Sequence, residues 1–177
     1  MSDLVQLLGE LVAVDTHNPG GDEPKFARLL ANRLSAFSPD VLECVEVVRD
    51  ASGPEMGAYV FARFGAPKTL VNVHIDTVPP NAGWTGDPYQ AVVVGDKLVG
   101  LGSADTKGAI AALLCALETA APRDVAILFS GDEECGGTCL NAFLDSGRAR
   151  GIERALVCEP TRCRMGVRHR GMIARRH

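Results

Sequence analysis

Along this chain, apolar runs of strand length alternate with segments of helical periodicity, and the runs end on acids or a histidine. Residues 69–75 close on His74-Ile75-Asp76. Residues 97–101 lead to Asp105, residues 125–130 to Asp132-Glu133-Glu134, and residues 155–158 to Glu159. Such alternation constrains a chain to an α/β fold, because parallel strands need a crossover between them and an amphipathic helix needs a sheet to cover. The expected architecture is a mixed, largely parallel sheet sandwiched by helices. At the carboxyl ends of such strands, side chains converge on one crevice. Several acids and an imidazole sharing it would repel one another unless cations neutralise them, which points to a metal centre.

The remaining elements follow from spacing and punctuation. Leu4, Leu7, Leu8, Leu11 and Val12 recur at helical intervals, so residues 3–14 are expected to form an amphipathic helix. Residues 15–22 are rich in Asn, Pro and Gly and read as a loop. Further helices are expected over 23–37, with Pro24 in a tolerated first-turn position, over 106–120 and over 138–146. Strands are expected over 41–48, 58–64, 70–75, 124–130 and 155–158, with a short hairpin of 91–94 and 97–99 across Gly95-Asp96. Residues 77–89 hold three prolines, two glycines and Trp84, and an irregular stretch of that length inside a compact domain usually has a task. Residues 1–165 read as one domain, and 166–177 as the start of a connection out of it, with a strand over about 165–173.

Composition narrows the partners. The chain has 177 residues, is 46% hydrophobic and 23% charged, and carries a net charge of −4, the balance of an ordinary globular domain. A nucleic-acid partner would require a basic face, which this charge disfavours. No run approaches the roughly 20 apolar residues of a membrane span. Met1-Ser2-Asp3 lacks the basic and apolar regions of a signal peptide, so a cytoplasmic location is expected. The six cysteines have no framework spacing and are expected to be free thiols; a thiolate zinc site at Cys135/Cys139 or Cys158/Cys163 is the weaker reading.

Each acidic position has an ordinary reading and a chemical one. A histidine and an aspartate two apart on a strand share a face, so Asp76 can brace the ring nitrogen of His74 that is turned away from a metal. Asp105 stands where a helix N-cap is expected, yet a carboxylate there can also bridge two ions about 3.5–4 Å apart. Three adjacent acids such as Asp132-Glu133-Glu134 usually mark a solvated turn. Beside His74 and Asp105, one glutamate can bind metal and the other can take a proton from water. Glu159 precedes Pro160, which biases it to an extended backbone at a strand end.

In order and spacing these segments resemble the co-catalytic zinc amidohydrolase and metallopeptidase family that includes acetylornithine deacetylase, succinyl-diaminopimelate desuccinylase, aminoacylase and carboxypeptidase G. The matching segments are Val73-His74-Ile75-Asp76-Thr77-Val78-Pro79, Gly100-Leu101-Gly102-Ser103-Ala104-Asp105-Thr106-Lys107-Gly108, Ser130-Gly131-Asp132-Glu133-Glu134, Glu159-Pro160-Thr161 and Trp84-Thr85-Gly86-Asp87-Pro88-Tyr89. The resemblance implies that His74 and Glu159 hold one metal ion, Asp105 bridges, and Glu134 holds a second ion. It further implies that Glu133 is the general base and that Asp76 orients His74. Two divalent ions, Zn²⁺ with Co²⁺ or Mn²⁺ as substitutes, would balance these carboxylates.

Gly100-Leu101-Gly102 and His74-Ile75-Asp76-Thr77-Val78-Pro79 look most like the acetylornithine and acetylcitrulline deacetylases of arginine biosynthesis. The implied activity is hydrolysis of an N-acyl amino acid, with desuccinylase- or carboxypeptidase-like hydrolysis as the alternative. Thr106 departs from the family's usual Met with no evident chemical consequence. The resemblance also implies a lid domain, through which relatives form homodimers, and a returning segment carrying the second ion's histidine. Neither has a counterpart among these residues, so a non-catalytic metal-binding fragment stands as a further alternative. His169-Arg170-Gly171 matches the entry to that lid, and His177 is not expected to replace the missing ligand.

Overall fold

The computed structural model describes residues 3–49 and 55–167. The chain runs α1 (Leu4–Val12), α2 (Glu23–Ser35), β1 (Val41–Val48), β2 (Met56–Phe64), β3 (Thr69–His74), β4 (Val92–Val94), β5 (Lys97–Val99), α3 (Lys107–Thr119), β6 (Val125–Ser130), α4 (Thr138–Asp145) and β7 (Arg154–Val157). Helices and strands stand where the periodicity places them, with ends shifted by one or two residues. The strand expected over 165–173 is not borne out where it can be seen: residues 165–167 carry no strand, and 168–173 lie outside the described residues. No helix among the described residues is long and apolar enough to cross a membrane.

Five strands form the main sheet in the order β1-β2-β6-β3-β7. β2 is antiparallel to both β1 and β6, whereas β6, β3 and β7 are mutually parallel. Every strand except β2 therefore points the same way. β4 and β5 make a separate hairpin.

The two faces of the sheet follow from period-two alternation. Ala58, Val60, Ala62 and Phe64 of β2 face one side with Val73 of β3 and Ile127 and Phe129 of β6. There they pack against Leu7 and Leu11 of α1, Phe26, Leu30 and Leu34 of α2, and Ile110 and Leu114 of α3. Tyr59 and Phe61, Leu70, Ala126 and Leu128 face the other side, where Phe143 of α4 covers them. Burial on both faces explains why β2 and β6 read as continuous apolar runs. The starts of α1 and α2 are fixed by side-chain caps: Asp3 accepts from the Val5 amide at 2.9 Å, and Asp22 from the Lys25 amide at 2.9 Å.

Candidate metal centre

Strand register assembles the site. His74, the last residue of β3, lies opposite Ser130, the last of β6, and Asn72 of β3 lies opposite Val157 at the end of β7. The residues just beyond these strands therefore emerge along one edge. They include Asp76, the turn Asp132-Glu133-Glu134, and Glu159. Asp105 arrives at the same edge from the loop between β5 and α3.

His74 is the hub. Its Nε2 lies 3.0 Å from Oδ1 of Asp105. Candidate ligand atoms of His74, Asp105 and Glu159 lie within 4.8 Å of one another, as do those of His74, Glu133 and Glu134. No such three-membered set among the described residues contains both Asp105 and Glu134, the pair expected at a second ion. None contains a cysteine, and none of the six cysteines is in a disulfide. Asp105 is not the helix cap: Thr106 occupies that position, which leaves the Asp105 carboxylate turned to the imidazole.

The electrostatics are those of an anionic site with one base. Burial disfavours charge on His74, but the Asp76 carboxylate, the hydrogen bond to Asp105 and the charge of Glu159 push it up to about 9. Burial raises the carboxyls of Glu134 and Glu159 above the usual range, and the neighbouring charges of Asp105 and Glu133 add to the rise. A cation there would relieve both effects. One imidazole with several carboxylates is a donor set that suits a borderline or hard divalent ion, so the residues present fit a metal.

Asp76 differs from its expected role in one respect. β3 ends at His74, so strand alternation no longer sets the direction of Asp76. The closest acceptor for His74 Nδ1 is the backbone carbonyl of Asp76, at 3.0 Å, with the carboxylate Oδ1 at 3.5 Å. That carboxylate is fully buried and accepts from the amides of Glu133 at 3.1 Å and Glu134 at 3.0 Å, and from Asn18 Nδ2 at 2.7 Å. Burial alone would raise its pKa; the His74 contact and these donors hold it below the usual carboxylate range.

Residues that the sequence reading did not single out lie behind this layer. Asn18 Nδ2 also donates to Glu23 Oε1 at 2.7 Å, and its Oδ1 accepts a short bond from Arg49. Arg49 Nη1 contacts Glu23 at 3.0 Å and lies 3.6 Å from Asp132. Gly131 is required here, because a Cβ would overlap the Glu23 carboxylate and the Ala58 carbonyl. In sequence Glu23 reads as an ordinary first-turn acid and Asn18 as a loop residue, so no local signal marks them.

Thr106 also has a task. Its buried hydroxyl donates to the His74 carbonyl at 2.7 Å, tying the start of α3 to the end of β3. The 77–89 stretch docks through Tyr89, whose hydroxyl lies 3.1 Å from His17 Nδ1.

Comparison with known proteins agrees with this architecture. Residues 70–170 match the model of peptidase family M20/M25/M40. The chain is similar to N-acetyl-L-citrulline deacetylase of Xanthomonas campestris pv. campestris, at 37% identity over 97% of this chain and 45% of that protein. It is also similar to succinyl-diaminopimelate desuccinylase of Rhizorhabdus wittichii, at 37% identity over 62% of this chain and 30% of that protein. The chain thus spans about half the length, or less, of the curated relatives it matches. Among solved structures, the dipeptidase Dug1p of Saccharomyces cerevisiae shares the fold, with a TM-score of 0.75 at 18% identity over 88% of this chain and 38% of that one. With the ordered acids at the strand ends and a family match across more than half its length, this chain belongs to peptidase family M20/M25/M40.

Proposed function

We propose that this chain carries the metal-binding part of a hydrolase that cleaves the amide bond of an N-acyl amino acid. The observation that carries the reading is the contact of His74 Nε2 with Asp105 Oδ1 at 3.0 Å, together with two sets of candidate ligand atoms within 4.8 Å of one another that share His74, one with Asp105 and Glu159 and one with Glu133 and Glu134. His74, Asp105 and Glu159 would hold one divalent ion, with Asp105 shared towards a second ion held by Glu134. Zinc suits this donor set, with cobalt or manganese as substitutes. Divalent ions bound here would polarise the amide carbonyl and lower the pKa of a water.

The chain's own residues supply the proton chemistry. Glu133 accepts a proton from the attacking water on a carboxylate oxygen and delivers it to the amide nitrogen as the carbon–nitrogen bond breaks; the second water proton then passes from the new carboxyl group to the amine, giving a carboxylate and an ammonium group. Asp76 holds the Glu133 and Glu134 amides and faces His74 Nδ1, so it orients base and ligand together. The similarity to N-acetyl-L-citrulline deacetylase along nearly the whole chain supports an N-acetylated amino acid as substrate. The similarity to succinyl-diaminopimelate desuccinylase supports an N-succinyl substrate as the second reading.

The test combines metal content with product release. The purified chain is expected to retain divalent metal, and His74→Ala to lose it. Unchanged metal content in His74→Ala would show the assigned site to be wrong. Acetate release from N-acetylcitrulline against succinate release from N-succinyl-diaminopimelate separates the two substrate readings.

A further inference from the structure

We propose that Asn18 is a positioning residue for the metal centre, acting through Asp76, with Glu23 and Arg49 fixing the direction of its amide. This role rests on the metal-centre reading above and extends it to a residue that touches no candidate ligand. The Asp76 carboxylate is fully buried, and among the described residues no lysine or arginine pairs with it. It depends instead on neutral donors and the imidazole. Two of these donors are the amides of Glu133 and Glu134, so the direction of the Asp76 carboxylate sets where that turn sits. The third donor is Asn18.

An asparagine amide can sit either way round, and a wrong orientation would put its oxygen against a carboxylate. Here both hydrogens of Asn18 Nδ2 are engaged at 2.7 Å, one by Glu23 Oε1 and one by Asp76 Oδ2, while Oδ1 faces Arg49. Glu23 is itself fully buried and anchored by the Ala58 amide at 3.3 Å, and Arg49 is held by Glu23. The arrangement is directional: an arginine reads the oxygen, a carboxylate reads the nitrogen, and the remaining N–H can only point at Asp76. A carboxylate without access to water loses heavily when a donor is replaced by an acceptor. Asp76 would then turn, and the Glu133-Glu134 amides and the His74 ring would turn with it.

The double variant N18D/E23Q tests this. It keeps the charge of the cluster and leaves Arg49 a carboxylate partner, but sets an acceptor where Asp76 now has a donor. Cobalt(II) serves as the probe, with its affinity measured by chelator competition and its visible ligand-field spectrum recorded. Groups that orient metal ligands typically account for about 10–100-fold in metal affinity, and a loss of at least about tenfold is expected here, with a shifted spectrum. E23Q alone removes one of the two groups that fix the Asn18 amide but leaves Arg49 on its oxygen and the donor on Asp76, so it is expected to lose less cobalt affinity than the double variant. Asn18→Ala, which removes the donor without adding charge, carries the test should the double variant lose its circular dichroism. A folded variant with the parent's cobalt affinity and spectrum would overturn the role of Asn18 alone. A parent chain that binds no cobalt would overturn the metal-centre reading, and this role with it.

Discussion

Glu23 and Glu133 are both acids near one sheet edge, yet their surroundings differ sharply. Glu133 is exposed beside His74, whereas Glu23 is fully buried beneath the site. Burial pushes Glu23 up from 4.5 to about 7, against the opposing effects of Asn18 and Arg49. The folded chain therefore holds this proton more tightly than the unfolded chain. Stability from this group is fully present below about pH 4.5 and is lost as pH rises through about 7. Relative to Glu23→Gln, the metal-free parent is expected to lose about 3 kcal/mol across that window, read from urea unfolding at a series of pH values. Under the proposed general-base role, Glu133→Gln is expected to keep the parent's metal content and to lower any turnover by about 10²–10⁴-fold, the usual contribution of such a group. Candidate ligands were legible in the sequence because each ends an apolar run. Asn18, Glu23 and Arg49 were not, because their partners lie on other elements and nothing nearby in sequence marks them.

At the scale of elements, the site depends on how β6 and its turn are held. β6 sits between β2 and β3 and is buried on both faces, so it is the strand least able to shift. Its turn is clamped by Asp76 and packed against Glu23 at Gly131. Gly131→Ala is expected to force that packing apart and destabilise the chain by about 1–3 kcal/mol, measured by denaturant unfolding. α4 covers the opposite face through Phe143, which meets Tyr59 edge-on at 5.8 Å and Phe61 at 5.3 Å. Phe143→Ala is expected to cost about 3–5 kcal/mol by the same measurement. Element type was readable because period-two and helical spacings differ plainly here. Exposure was not: the run of β7 is apolar, yet Leu156 and Val157 are more than half exposed at the sheet edge.

At the scale of the whole molecule, the candidate ligands come from four separate stretches, at 74, 105, 133–134 and 159. A metal joining them would stabilise the folded chain, because the unfolded chain does not hold these groups together. Divalent ion at about 100 times its dissociation constant is expected to add about 2.7 kcal/mol of stability. The gain should appear as a raised thermal midpoint, be removed by a chelator, and be absent in His74→Ala. A midpoint indifferent to metal in the parent would count against the site.

By itself the sequence determined the kinds of elements, their order, and the acids and histidine that end them, since periodicity and apolar run length are local properties of the chain. The resemblance to a metallohydrolase family was legible for the same reason, because its motifs lie at those ends. Tertiary structure decided the rest. Parallel register between β3 and β6 sets His74 beside Ser130, and the α3 approach turns Asp105 onto the imidazole. The end of β3 at His74 freed Asp76 from strand alternation, so it faces two backbone amides instead of acting on the histidine alone. Hydrogen bonds between residues tens of positions apart, such as Asn18 to Asp76, have no local signature, because their geometry exists only once the sheet has brought its edge together.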